Sequence, residues 1–370
     1  MNPGATWQFS LDSVHALIWG VVLMIVLIAC VRGCRPAALV YVTLVVTLSL
    51  VMLGAYVRLS DAGLGCPDWP GCYGKISPSH AAEQIAAAEA AAPAGPVSPQ
   101  KAWREMLHRY LASLVGVMML AIAVQAFLAR RERGPSMDDP TRQIGLPLLL
   151  VGLVAIQGLL GKWTVTLLLR PAVVTLHLLG GMALVAALSW LAARHAGLQG
   201  GQASLLRGVR PWVLVAVVLL AIQIALGGWV STNYAALVCA DFPTCHGAWM
   251  PDMDIASGFH VLRDLGQTAD GTPLSGEALN AIHWLHRAGA LVTVAAILTM
   301  CFRVSRVRVL RPLGNAILFL LGCQIALGIT NVVASLPLAA AVAHNGVAAL
   351  LLAAVTMLNF AVRSPSMVSR

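Results

Sequence analysis

An all-α polytopic membrane protein is what the 370-residue sequence predicts: two tandem four-helix bundles related by internal duplication, plus one extra N-terminal span. Three observations carry that prediction. Hydrophobic residues make up 59% of the chain and charged residues 11%, and apolar runs of about eighteen residues recur along it, each long enough to cross a bilayer as a helix. Basic residues gather in alternate connections between those runs. Motifs of the first half also return in the second at nearly constant offset.

Runs near 14–31, 37–57, 106–128, 146–168, 173–193, 212–232, 281–302, 313–334 and 340–362 give nine expected spans. The first lacks a small-residue cleavage pattern and leads into Arg32 and Arg35, which predicts a retained anchor rather than a cleaved signal. His15 at one end of it reads as an interfacial histidine, and Cys30 and Cys34 at the other as inert thiols in a reducing compartment. Arg130, Arg131, Arg133 and Arg142, then Arg194, Arg207 and Arg210, then Arg303, Arg306, Arg308 and Arg311, and finally Arg363 and Arg370, mark alternate connections as cytoplasmic. The two long loops, near 58–104 and 233–280, therefore lie outside. The net charge of +9 is a consequence of this topology, with membrane lipid as its partner, and no basic-aromatic pattern points to nucleic acid. Within the first loop, AAEQIAAAEAAA reads as a surface helix in an Ala/Pro/Gly-rich linker.

The repeat is visible in the outer loops. Cys66-Pro67-Asp68-Trp69-Pro70-Gly71-Cys72-Tyr73-Gly74 and Cys239-Ala240-Asp241-Phe242-Pro243-Thr244-Cys245-His246-Gly247 share Cys-x-Asp-aromatic-Pro-x-Cys-x-Gly at an offset of 173. Five residues and a proline between the cysteines favour a small disulfide ring in an oxidising compartment. Zinc or free thiols are the alternatives, and the Cys-x₂-Cys spacing of zinc sites is absent. Gln157-x-x-x-Gly161 recurs as Gln324-x-x-x-Gly328, and His177 as His344, both at an offset of 167; Gln223-x-x-x-Gly227 echoes the pattern. These glutamines and glycines read as helix-packing positions. The duplication divides the chain into an extra N-terminal span at 1–36, an N-terminal half at 37–193, a cytoplasmic linker at 194–211, a C-terminal half at 212–362 and a tail at 363–370.

Four helices each carry a histidine near the outer end. His108-Arg109 and His286-Arg287 open matching runs, and His177 and His344 sit on later helices of the two halves. Glu105, His108 and Arg109, at i, i+3 and i+4, share one helix face, and charged groups in a span face a bundle interior, a partner or a ligand. An interfacial cluster with headgroup-directed charges is the alternative. A proton relay, a metal site or a haem site can each use intramembrane histidines. A haem needs two opposed imidazoles from neighbouring helices with apolar walls, which each half can supply, and an adjacent arginine suits propionate carboxylates. His80, His246 and His260 read as surface histidines, and Cys301 and Cys323 as core or interfacial thiols.

Glu105-x-x-His108-Arg109, His177, His286-Arg287, His344, the two Cys-x₅-Cys loops and the opening GAYVRLSDAGLGCPDWPGCYG together resemble the haem A synthases of aerobic bacteria over residues 37–362. The resemblance implies oxidation of the ring D methyl group of haem O to a formyl, giving haem A for cytochrome oxidase in the bacterial cytoplasmic (inner) membrane. It implies haem b on His286 and His344, substrate haem O on His108 and His177, and a catalytic role for Glu105, whose counterpart in the second half is His283. Arg109 and Arg287 would then bind propionates. Partners implied are haem O, the haem O synthase that supplies it and an electron donor; the oligomeric state is left open, a homo-oligomer included. Two rival functions stand beside this one. A dihaem b-type electron-transfer cytochrome accounts for the four histidines but gives Glu105 no task. A membrane thiol–quinone oxidoreductase accounts for the cysteines but leaves the histidines idle.

Overall fold

The computed structural model describes residues 11–136 and 138–364. The expectation for the side chain of His15, and that for the tail beyond 364 with Arg370, lie outside the described residues. The chain is all-helical, its only strand-like features among the described residues being isolated bridges in the long loops. In order come α1 (Leu11–Gly33), α2 (Pro36–Leu59), the short α3 (Ala82–Ala91), α4 (Pro99–Arg133), α5 (Gly145–Thr166), α6 (Pro171–His195), the short α7 (Ala203–Arg207), α8 (Arg210–Thr232), the single turn α9 (Ile255–Gly258), α10 (Gly276–Val304), α11 (Arg311–Val333) and α12 (Leu338–Arg363).

Among the described residues eight helices are long and apolar enough to cross a membrane: α2, α4, α5, α6, α8, α10, α11 and α12. The ninth expected span corresponds to α1, a continuous 23-residue helix that packs on α4. Gln125 of α4 fixes it there, its amide donating to the carbonyl oxygens of Cys30 (2.9 Å), Val31 (3.3 Å) and Cys34 (3.0 Å). Two helices start earlier than their apolar runs. Ser98 caps α4, its hydroxyl accepting from the N–H of Lys101 with Pro99 in the first turn, and Ser275 caps α10 by accepting from the N–H of Ala278. A side-chain cap satisfies N–H groups that would otherwise be orphaned, so each helix extends beyond the run that hydropathy marks.

Helices α2, α4, α5 and α6 pack in a closed ring, each on the next, and α8, α10, α11 and α12 do the same. Between the rings, α12 packs on α2 and α6, and α6 packs on α8. Apolar burial alone gives little drive between helices in lipid, so close approach at small residues and interhelical hydrogen bonds must carry the contact. Gly346 of α12 faces Met52 of α2 so closely that an added Cβ would meet its Sδ at 2.9 Å. Gly228 of α8 faces Leu178 of α6 at 2.9 Å in the same sense, and the hydroxyls of Thr175 and Thr232 hydrogen-bond nearby at 3.2 Å. Leu291 and Phe319, 74% and 71% exposed, point outward, as lipid-facing side chains do.

The two disulfide-bearing loops lie at one end of the helices and the arginine-bearing connections at the other. At the loop end, Arg58 of α2 donates to the carbonyl oxygen of Ser231 at 2.7 Å and lies 4.0 Å over the ring of Tyr234, whose hydroxyl bonds Asp61 at 3.1 Å. Residues 58 and 231, and residues 61 and 234, are each 173 apart, the same offset that separates the two cysteine motifs.

Candidate functional site

Each of the four histidines lies against a glycine of the preceding helix of its ring. A Cβ added at Gly54 of α2 would meet Cε1 of His108 at 3.0 Å, and one at Gly227 of α8 would meet Cε1 of His286 at 3.0 Å. Gly161 of α5 stands 3.4 Å from Cε1 of His177 in the same sense, and Gly328 of α11 stands 3.2 Å from Cε1 of His344. The glycines of the Gln-x-x-x-Gly pattern thus serve less to bring backbones together than to seat an imidazole. That role was hidden in the sequence, because the histidine belongs to the next helix along.

The rings of His108 and His177 face each other with centroids 6.4 Å apart and planes at 80°. Two imidazoles ligating one metal at about 2 Å each need ring centres about 6 Å apart, so this pair has the separation that axial ligation requires. Nδ1 of His108, of His177 and of His344 is buried without a hydrogen-bond partner. A buried polar atom left unpaired costs about 1–3 kcal/mol, and such orphans cluster where a ligand completes the site. His286 differs: the amide nitrogen of Gln223 is 3.0 Å from its Nδ1. The amide of Gln324 is 3.2 Å from Nε2 of His344 and must turn aside before that atom can ligate. The donor set, neutral imidazoles among apolar helices, fits haem iron.

Above the histidines the loops are pinned from below. Glu105, 5% exposed, accepts the N–H of Cys66 at 2.9 Å and pairs with Arg109 at 2.5 Å. Arg109 also donates to the carbonyl oxygens of Asp68 (2.9 Å), Gly71 (2.5 Å) and Pro70 (3.3 Å). In the second half Nδ1 of His283 stands 3.4 Å from the N–H of Cys239. Arg287 donates to the carbonyl oxygens of Cys239 (2.9 Å), Asp241 (3.0 Å) and Thr244 (2.8 Å), leaving a buried Nε without a partner. The arginines expected at propionates are thus engaged with loop carbonyls. Glu105 and His283, which the sequence sets apart chemically, do the same structural work.

Both loop cysteine pairs are disulfides, Cys66–Cys72 and Cys239–Cys245, and all four residues are at most 1% exposed. The sulfurs are bonded to each other, which leaves zinc no thiolate. The shared aspartates close the rings: Asp68 accepts the N–H groups of Tyr73 (2.7 Å) and Gly74 (2.6 Å). Asp241 accepts from the Thr244 hydroxyl (2.5 Å) and the N–H groups of His246 (2.7 Å) and Gly247 (2.9 Å). These donors, the Thr244 hydroxyl foremost, hold the Asp241 carboxyl below the usual carboxylate range. A carboxyl depressed in the folded state stabilises above its unfolded pKa and ceases to do so as pH falls through the folded value, so this closure persists at neutral pH and loosens only in acid. Mass spectrometry of non-reduced peptides is expected to find both intraloop pairs; four alkylatable thiols at these positions in native protein would refute them.

Elsewhere the expectations of surface placement hold for His80, His246 and His260, all exposed. Cys301 is buried and Cys323 partly so, both free.

The family described as COX15-CtaA, cytochrome oxidase assembly protein, matches residues 37–356. Its match begins one residue into α2, so α1 lies before it. The chain is 41% identical over 324 residues to a protein named heme A synthase from Shewanella oneidensis, covering 87% of this chain and 95% of that one. It is 29% identical over 355 residues to the heme A synthase of Caulobacter vibrioides (90% and 97% covered) and 28% identical over 347 residues to that of Rhizorhabdus wittichii (86% and 92% covered).

Proposed function

Since the chain belongs to the COX15-CtaA family of cytochrome oxidase assembly proteins, we propose that it is a haem A synthase, an oxidoreductase that converts the ring D methyl group of haem O to the formyl group of haem A. The observation that carries this reading is the twice-built seat, a glycine beneath each of four histidines, with the His108 and His177 rings opposed at 6.4 Å.

In this reading residues 37–193 and 212–362 are two four-helix bundles related by duplication, joined by the linker at 194–211. The self-counterpart contacts Arg58–Ser231 and Asp61–Tyr234 support it, because a position meets its own equivalent only beside a two-fold axis. Residues 1–36 form an extra N-terminal span fastened to α4, and 363–370 a tail. The arginine-bearing connections face the cytoplasm and the disulfide loops the outer side of the inner membrane.

His286 and His344 hold haem b, and His108 and His177 receive substrate haem O. Haem b, when bound, supplies one-electron redox chemistry. The chain's own part is positional and protonic. The glycine seats fix the imidazoles. The apolar helix faces exclude water from the reacting methyl group. Glu105, one turn before His108, holds or moves a proton beside the substrate. Arg109 and Arg287 place positive charge at the loop end, where propionates would lie, while their N–H groups hold the loops. The four loop sulfurs are buried, which argues against the thiol–quinone alternative, since exchange requires an accessible disulfide.

Pyridine haemochrome analysis of purified protein tests the assignment. We expect b-type haem with a fraction of haem O or haem A. Absence of any haem would refute it, and b-type haem alone from cells that make haem O would favour a dihaem cytochrome.

A further inference from the structure

We propose that Gln223, admitted by Gly289, makes the C-terminal histidine pair a retentive cofactor site, whereas Leu50 and Leu111 at the matching places leave the N-terminal pair an exchangeable substrate site. The inference rests on the reading of both pairs as haem ligands, and it supplies a reason why two such similar seats behave differently.

The comparison is close because the seats coincide. From a Cβ built at Gly54, the Cε1, Nδ1 and Nε2 atoms of His108 lie at 3.0, 3.6 and 3.7 Å; from Gly227 the same atoms of His286 lie at the same three distances. Both rings therefore present one edge to one neighbour in one register. Four residues earlier on that neighbouring helix the halves diverge. The second has Gln223, whose amide nitrogen is 3.0 Å from Nδ1 and 2.9 Å from the carbonyl oxygen of His286. The first has Leu50, packed into the apolar core, and Nδ1 of His108 is buried with no partner.

Gln223 also needs room. A Cβ at Gly289, one turn past His286, would stand 2.6 Å from its Oε1; one turn past His108 the residue is Leu111. The glutamine contact is thus a two-residue feature of the second half. The later histidines do not repeat this contrast, since Nδ1 is buried without a partner in both His177 and His344. Gln324 reaches only Nε2 of His344, the atom that would ligate. Gln157 occupies the matching place on α5, but Gly180 leaves a space into which its amide folds, 1.7 Å from where a Cβ would be. The second half has Val347 there, and Nδ1 of His177 has no partner. The contact to Nδ1 that sets the halves apart is therefore that of Gln223 on His286 alone.

An imidazole that ligates through Nε2 bears its proton on Nδ1, and an acceptor for that proton fixes the ring and raises its basicity toward the metal. The Oε1 of Gln223 is buried without a partner; turning it to Nδ1–H gives up the hydrogen bond that the amide nitrogen donates to the carbonyl oxygen of His286, so the amide must also draw back from that oxygen. A cofactor must stay through many turnovers, whereas a substrate must leave after each one. Gln223 is accordingly a positioning residue acting through His286.

The test compares Gln223→Leu, Gln223→Glu and the double variant Leu50→Gln/Leu111→Gly, each purified as the full chain. Two readouts are taken: the rate of haem transfer to apomyoglobin and the midpoint potential of the low-spin haem. Gln223→Leu is expected to lose haem about 10- to 100-fold faster at a raised potential. Gln223→Glu keeps an acceptor at the same reach, so it is expected to retain haem at a potential below wild type. The double variant is expected to carry more haem per chain. A packing role would not move the potential in opposite directions in the two single variants. Wild-type transfer rate and potential in Gln223→Leu overturn the proposal. Should that variant fail to fold, an unshifted potential in Gln223→Glu together with unchanged haem content in the double variant does so instead. A wild-type protein that holds no haem refutes the functional reading itself and is recognised before any variant is made.

Discussion

Replacing His286 or His344 with alanine is expected to strip the b-type haem from the purified protein, with the haem b content falling to background in each variant. Either variant would remove one of the two imidazoles that would hold the iron, and removing even an outer partner of a metal-binding histidine costs about 10- to 100-fold in affinity, so a direct ligand costs more. The surroundings cannot compensate. The residue beneath each ring is a glycine, Gly227 or Gly328, and no other imidazole among the described residues is seated to take the vacated place; His283, on the same helix as His286, is turned to the N–H of Cys239. Gly227→Ala is the graded control. Its added methyl would stand 3.0 Å from Cε1 of His286, so the ring must shift at a cost of about 1–3 kcal/mol, weakening the haem spectrum without abolishing it. Retention of a full low-spin b spectrum in both histidine variants would overturn the ligand assignment.

What the sequence made legible followed from periodicities that survive without tertiary information. Eight spans could be read from apolar length alone, and the histidines, cysteines and shared aspartates from the internal repeat. Helix ends were not legible from hydropathy, because caps set them: α4 begins at Pro99 rather than 106 and α10 at Gly276 rather than 281, each behind a serine. That Arg109 and Arg287 need partners follows from a charge placed at the mouth of an apolar run, but which groups answer them does not. Arg109 reaches carbonyl oxygens up to 41 positions away and Arg287 up to 48, and only the folded loop brings those oxygens over the helix. The glycine seats were visible as a pattern yet read as helix–helix packing, since spacing along one helix carries no information about which side chain of the next helix rests on it. In the same way nothing in the sequence pairs Gln223 with Leu50; the matching ring edges of His286 and His108 put them in one frame.

Glu105→Gln is expected to abolish haem A formation and let haem O or a partly oxidised intermediate accumulate, but the structure gives that result two causes that must be separated. The carboxylate is buried, with side-chain exposure of 6% against 12% for Arg109, and it accepts from both Arg109 and the N–H of Cys66. A glutamine keeps one acceptor and turns an N–H toward the other donor. Hydrogen bonds to charged groups contribute about 1.5–3 kcal/mol, so the first disulfide loop loosens as chemistry is lost, and the melting temperature falls. The second half indicates how to separate the two effects. There His283 presents Nδ1 to the N–H of Cys239 in the same register, so Glu105→His supplies the loop with the acceptor that its counterpart uses while removing the carboxylate. That variant is expected to recover part of the melting temperature lost in Glu105→Gln, to keep the Cys66–Cys72 bond and haem b in the C-terminal half, and still to make no haem A. Near-normal haem A production from Glu105→His would show that Glu105 serves the loop alone, with an imidazole serving as well as a carboxylate; a stable, haem b-replete protein that accumulates haem O would place the proton-handling group of the reaction at this position.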